Sequence, residues 1–282
     1  MMLDAELVES FKRRGFLALE GAYDVETDIM PIWRGINEII RIVAEDHGVA
    51  VASSCEAIDG DNFDDGYQTL IAHDRALGGV VYDAVKQLVP FVRLTSSPLH
   101  ESIVRQLRGT AVVGVAAGGS GIRIDNPGEE RFRAPWHQEY PAQFRSLDGL
   151  VFWSPLRSVD PALGPVEICI GSHADGLRRV VREDPSLGRE GAYALLLEDE
   201  ANVVSRYEKT SPLARPGDIL LIDFQTIHRS GVNRSRVARW TMQSRCFTFS
   251  EVTGRRIGWA GSFAAGRAIA DVHPELEGAG EI

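Results

Sequence analysis

Apolar residues recur at helical spacing over the first hundred positions and in short alternating or clustered runs after about residue 110. Leu3, Leu7, Val8 and Phe11 share one face of a helix expected over 3–14, stopped by Gly15 and followed by a strand at Phe16–Leu19. The same spacing predicts helices over 28–47 (Ile29, Ile32, Ile36, Ile39, Ile40, Val43) and 74–89 (Leu77, Val80, Val81, Val85, Leu88). A further helix is expected over Thr95–Leu107, with Ser97-Pro98 near its start. Beyond residue 110, β-branched and aromatic runs alternate with Gly, Pro and Asp turns. Strands are expected at 110–116, 121–125, 149–156, 165–170, 202–206, 218–223 and 239–249. Many short strands at this spacing indicate a mainly β sandwich, jelly roll or barrel behind an N-terminal helical layer.

Neither an internal repeat nor a linker interrupts the pattern, so a single domain over 1–282 is expected. Residues 1–109 would form the helical layer and 110–250 the β core. Residues 174–212, long and charged, form an excursion of the kind that serves as a lid or insertion. The acidic stretch Asp59–Gly66 lacks the spacing and closing Glu of a calcium loop and is expected to be solvated.

Composition narrows the function classes. With 44% hydrophobic residues and a formal charge of −10, the chain supports a sizeable core and has no run of basic residues for nucleic acid. No apolar run is long enough to span a bilayer. Cys55, Cys169 and Cys246 are sparse and odd in number, which points to core thiols in a reducing, cytoplasmic setting. A small-molecule partner is therefore expected, with no nucleic acid and no membrane.

The candidate chemistry begins at His228. It follows the apolar run Ile219–Ile222, precedes turn residues, and is followed eleven positions later by Arg239 at the head of another strand. That layout suits a metal ligand on one strand and an anion clamp on the next, since a guanidinium matches a carboxylate bidentately. Ser230 can add a hydroxyl to the same carboxylate. An upstream His-x-Asp/Glu could complete a metal site, because residues i and i+2 of a strand share a face roughly 6.5–7 Å apart. Three such triplets occur: His137-Gln-Glu139, His173-Ala-Asp175 and His273-Pro-Glu275. Spacing alone does not choose among them. Context favours the first, which is flanked by Trp136 and Tyr140 as aromatic walls. His173 falls at a strand end, and His273 has proline inside its pair and no histidine after it. Arg123 and Asp125 share a strand face that could point into a pocket, and Gln243 and Arg245 continue the Arg239 face, where a packed polar network is the plain expectation. Trp153 is a candidate pocket wall; His47, His73 and His100 are expected to be ordinary surface or capping residues.

Taken in order, His137-Gln-Glu139, Gly164-Pro165, Gly171-Ser-His173, Gly217-Asp218, His228-x-Ser230-x-x-Asn233-x-Ser235 and Arg239 resemble the phytanoyl-CoA dioxygenase-like (PhyH) family over about 110–250, and the opening helix with Gly15-Phe16 is similar too. The resemblance implies a double-stranded β-helix (a cupin-like jelly roll). It implies Fe(II) held by His137, Glu139 and His228, and 2-oxoglutarate clamped by Arg239 and Ser230, with Arg123 and Gln243 as further candidate contacts. It also implies O₂ as the oxidant. From the residues themselves, Trp136, Tyr140, Asp125 and Trp153 are the candidates for a substrate pocket. The usual carboxylate ligand is Asp; Glu139 carries it about 1.5 Å further while keeping its charge. Halogenating relatives have a small residue there, so Glu139 argues against halogenation. The stretch Trp136–Pro141 is similar to family members of polysaccharide and sugar-containing antibiotic pathways, orthosomycin-type oxygenases included. A sugar or glycosylated small molecule, hydroxylated or oxidatively cyclised, is the substrate this implies. Two other readings fit the residues alone: a non-catalytic jelly-roll binding protein, and a cupin-type metal-dependent hydrolase or isomerase.

Overall fold

The computed structural model describes the chain apart from residues 53–57, 59, 61, 117, 183–194, 262–267, 277 and 279–282. Six helices open it: α1 (Ala5–Arg14), α2 (Met30–Asp46), α3 (Asp65–His73), α4 (Leu77–Val85), α5 (Val89–Thr95) and α6 (Pro98–Arg108). Each end of α1 is set by local chemistry. The Asp4 side chain accepts from the Leu7 N–H, and Gly15 closes the helix in the left-handed region at φ 76°. Helix α2 buries Ile32, Trp33, Ile36, Ile40 and Val43 and is entered through a π-helical turn at Val25–Ile29. Burial of each such side chain contributes roughly 1.5–3 kcal/mol.

The strands are β1 (Phe16–Leu19), β2 (Val113–Val115), β3 (Gly121–Asp125), β4 (Leu150–Pro155), β5 (Glu167–Cys169), β6 (Val180–Arg182), β7 (Leu195–Leu197), β8 (Lys209–Thr210), β9 (Ile219–Asp223), β10 (His228–Arg229) and β11 (Arg239–Thr248). A major antiparallel sheet runs β1-β9-β4-β11, and the free edge of β11 is shared by β3 at its start and β2 at its end. A minor sheet runs β10-β5-β8, and β6 pairs with β7. Alternation along β11 explains the layers. Trp240, Met242 and Cys246 face the helices and join the core with Trp33, Phe63 and Tyr67. Trp33 stacks on Phe63 at 3.9 Å, and both Trp33 and Tyr67 meet Trp240 edge-on. On the other face Val151, Trp153, Leu220 and Ile222 of the major sheet pack against Ile168 of the minor sheet and Val166 just before it. This is the two-sheet, double-stranded β-helix arrangement, with helices laid on the outer face of the major sheet.

One crossing depends on paired glycines. A Cβ on Gly164 would lie 2.4 Å from Val232 O, and one on Gly231 would lie 2.3 Å from Pro165 O, so the backbones pass closer than side chains allow.

Several elements differ from expectation. The helix expected at 74–89 is shortened to α4, and the residues after it form α5, whose first turn holds Pro90. The helix expected from Thr95 starts at Pro98, because Ser97 caps it. Helix α3 begins inside the acidic stretch, of which Asp59 and Asp61 lie outside the described residues. The strand expected at 202–206 is helical, α8 (Glu200–Ser205), with Val203 and Val204 buried against Trp136 and Leu197. Tertiary burial outweighs β-branching there. Within 174–212 the described residues include β6, β7, α8 and β8, and 183–194 lie outside them. Cys169 and Cys246 are buried free thiols, while Cys55 lies outside the described residues. Among the described residues no helix is long and apolar enough to cross a membrane.

Candidate metal and co-substrate site

His137 and His228 sit opposite each other in an isolated antiparallel bridge, each N–H donating to the other's carbonyl at 3.0 Å. Directly opposed residues project to one side, and the two imidazole centroids are 4.3 Å apart. Glu139 opens a short helix, α7 (Glu139–Gln143). The strand alternation anticipated for His137 and Glu139 is therefore not what joins them. Pro141 has no N–H for a ladder but is tolerated in a first helical turn. The turn still delivers the carboxylate: Glu139 Oε2 lies 3.8 Å from His137 Nε2 and 3.9 Å from His228 Nε2. The three buried side chains offer ligand atoms within 4.8 Å of one another.

The surroundings set the donors. His137 Nδ1 is 2.8 Å from Pro135 O, and His228 Nδ1 is 2.9 Å from Thr226 O. A carbonyl only accepts, so each Nδ1 carries the proton and each Nε2 presents a lone pair. Burial, then the neighbouring His137, push the His228 imidazole down to about 3, so it stays neutral. Burial alone would raise the Glu139 carboxyl. Arg245, with contributions from His137 and His228, overcomes this and holds it well below the usual range. Arg245 contacts the carboxylate directly: its Nε donates to Glu139 Oε1 at 2.7 Å. Glu139 Oε2 is buried without a hydrogen-bond partner. A desolvated carboxylate oxygen facing nitrogen lone pairs is costly without a cation between them. Two imidazoles and one carboxylate are the donor set of non-haem Fe(II) sites, and the residues fit that ion.

Beside them, an open cleft of about 360 Å³ is lined by the three donors and by Arg123, Trp153, Ser230, Gln243 and Arg229 among others. Its position between the sheets follows from alternation: Gln243 and Trp153 are register partners on β11 and β4, and Arg123 pairs with Thr241 across β3. Arg239 is buried at 1% exposure and is not among the cleft-lining residues. Its Nη2 donates to Asp125 Oδ2 at 2.9 Å, while Nε and Nη1 have no partner. Asp125 also accepts from Arg123 Nε at 2.8 Å. Burial would raise Asp125, but Arg123 and Arg239 together keep its carboxyl low.

Three residues expected at the pocket lie elsewhere. Asp125 is committed to the two arginines. Trp136 packs among Cys169, Leu197 and Val203, under the Arg229 guanidinium at 4.5 Å. Tyr140 is fully buried and bonds His273 Nε2 at 2.9 Å. Pro141 turns the chain away after Glu139, so Tyr140 faces the C-terminal segment, where α10 (Ile269–Val272) follows α8 and α9 (Val252–Arg256) in chain order. The competing triplets have structural partners. His173 Nε2 meets Lys12 O at the end of α1, Asp175 pairs with Arg178, and His273 Nδ1 meets Glu275. His100, expected at the surface, is buried against Tyr23 and stacked on Phe152.

Arg245 has a larger part than its place on the Arg239 face alone suggests. Two buttresses carry no signal in the local sequence. Gln138 donates to Gly176 O and Gln225 O and accepts from Arg178 N. Ser172 accepts from Ile227 N at 2.8 Å, one residue before His228.

Fold and donors together are those of the 2-oxoglutarate-dependent non-haem iron oxygenases, a class that uses Fe(II), 2-oxoglutarate and O₂. The family model for phytanoyl-CoA dioxygenase (PhyH) matches residues 11–241, and the chain belongs to that family. Among solved structures it is similar to the non-heme alpha-ketoglutarate-dependent carbocyclase SnoK from nogalamycin biosynthesis (16% identity, 87% of this chain and 84% of that one, TM-score 0.55). It is also similar to EctD from S. alaskensis with bound Fe (15%, 88% and 78%, TM-score 0.55). A third is EvdO2 from Micromonospora carbonacea var. aurantiaca complexed with 2-oxoglutarate (16%, 89% and 94%, TM-score 0.52). Among curated protein sequences none matches.

Proposed function

We propose that the protein oxidises a C–H bond of a small, oxygen-rich molecule, hydroxylating or oxidatively cyclising it, with a sugar-containing natural product or polysaccharide precursor as the substrate class. His137, Glu139 and His228 hold the iron. Arg239 and Ser230 hold the distal carboxylate of 2-oxoglutarate, with Arg123 and Gln243 beside it. The observation that carries this reading is the buried, partnerless Glu139 Oε2 facing two imidazoles whose Nδ1 atoms are already committed. The two partnerless N–H groups of buried Arg239 support the co-substrate assignment, because such donors call for an anionic acceptor. The sugar assignment draws on the Trp136–Pro141 stretch, and the structurally similar proteins include enzymes of nogalamycin biosynthesis.

The bound iron and its co-substrate supply the oxidising power. The chain's own part is placement and exclusion. The carbonyls of Pro135 and Thr226 fix both imidazole tautomers and orientations. Asp125, held by Arg123, orients the Arg239 guanidinium. Val151, Trp153, Val166 and Ile222 give the cleft an apolar wall that limits water near the donors. Anaerobic addition of Fe(II) and then 2-oxoglutarate tests the assignment. A weak visible charge-transfer band is expected, and it should be lost in His228→Ala. No band in the unaltered protein would support a binding protein or a hydrolase instead.

A further inference from the structure

We propose that Arg245 is a positioning residue that restricts Glu139 to ligating the metal through one oxygen, so that positions stay open for both a chelating co-substrate and O₂. This rests on the metal-site reading above. The carboxylate is divided between two tasks. Oε1 is 2.7 Å from Arg245 Nε, whereas Oε2 has no hydrogen-bond partner and faces both imidazoles at 3.8 and 3.9 Å. Carboxylates bind metals through one oxygen or two, and a glutamate arm has three rotatable bonds with which to present either. Turning Oε1 toward the metal would break a buried charge-assisted bond.

Arg245 is itself anchored. Its Nη2 donates to Gln243 Oε1 at 2.8 Å and its Nη1 to Gly119 O. Its backbone is paired on both sides, with Val151 of β4 in register and Ala116 N–H donating to its carbonyl at 2.8 Å. The guanidinium is thus a fixed stop rather than a mobile counter-charge. Three protein donor atoms leave three positions of an octahedron. A second carboxylate oxygen would take one of them, leaving two, so that the co-substrate could chelate in only one arrangement and no position would remain for O₂.

The test compares the full-length protein with Arg245→Met and Arg245→Lys, reading three quantities: Mn(II) affinity by calorimetry, 2-oxoglutarate affinity of the Fe(II)-loaded protein from the visible band, and folding by circular dichroism. In Arg245→Met the metal itself replaces the lost charge beside Glu139 and the freed Oε1 can also ligate, so at neutral pH Mn(II) should bind as tightly as before or more tightly. The variant's 2-oxoglutarate affinity should fall roughly tenfold or more. Arg245→Lys keeps a cationic donor and should retain the chelate. A residue that merely braced the fold would give the opposite pattern, weaker Mn(II) binding with 2-oxoglutarate binding preserved on whatever metal is loaded. That result, or a folded Arg245→Lys that loses the chelate, overturns the inference. No band in the unaltered protein counts against the proposed function itself; an unchanged band in Arg245→Met counts against the Arg245 inference alone.

Discussion

Replacing Arg239 by methionine should cost the protein its co-substrate while leaving its fold as stable or more so. The guanidinium makes one bond, Nη2 to Asp125 at 2.9 Å, and buries Nε and Nη1 without partners. Losing the charge-assisted bond costs about 1.5–3 kcal/mol, and removing two unsatisfied buried donors returns about 1–3 kcal/mol each. Methionine fills most of the aliphatic volume, and Asp125 keeps its bond to Arg123. The net change in stability is therefore near zero or favourable. Binding moves the other way. Two N–H donations to a carboxylate, at about 1.5–3 kcal/mol each, correspond to a roughly 10²–10⁴-fold loss of 2-oxoglutarate affinity. Thermal unfolding without co-substrate and titration of the metal-loaded protein measure the two halves. A variant that unfolds several degrees earlier yet binds 2-oxoglutarate normally would refute the reasoning and make Arg239 a structural cation.

Acid stability should depend on His100, whose imidazole burial pushes down to about 4 from 6.5. Between those values the unfolded chain takes up a proton that the folded one refuses. Stability should thus fall by about 3 kcal/mol as pH drops from 6.5 to 4; His100→Gln should flatten that part of a urea-midpoint profile, and an unchanged slope would argue otherwise. Gly231→Ala places a Cβ 2.3 Å from Pro165 O and should destabilise by roughly 1–3 kcal/mol in denaturant melts. Ser172→Ala strips the Ile227 N–H of its partner, costing about 1–3 kcal/mol and loosening the strand that carries His228; weaker Mn(II) binding should accompany the loss.

What could be read from the chain followed the range of each interaction. Strand β11 was legible because alternation is local: apolar Trp240 and Met242 against polar Arg239 and Gln243 is visible in ten residues. The His228 to Arg239 offset needs only one turn between two strands. Helix α8 was misread because Val203 and Val204 look like strand residues until Trp136 and Leu197 are brought beside them from elsewhere in the chain. The relation of His137 to Glu139 was found by residue type and mistaken in geometry, since a proline two residues on turns a strand into a helix start. The Arg245 contact joins residues 106 positions apart, and no local pattern specifies it.

The first strand pairs along its length with β9, Phe16 opposite Ile222 and Leu19 opposite Ile219, while Thr226 Oγ1 donates to Gly15 O across 211 residues. That pairing makes the order of synthesis matter. A growing chain emits β1 early and has nowhere to seat its Phe16 and Leu17 until some two hundred more residues have emerged. Closing so long a loop is slow, and meanwhile an unpaired apolar strand is exposed to other chains. Sheet completion is thus a late event in folding, and the opening segment is where help from a chaperone would matter most.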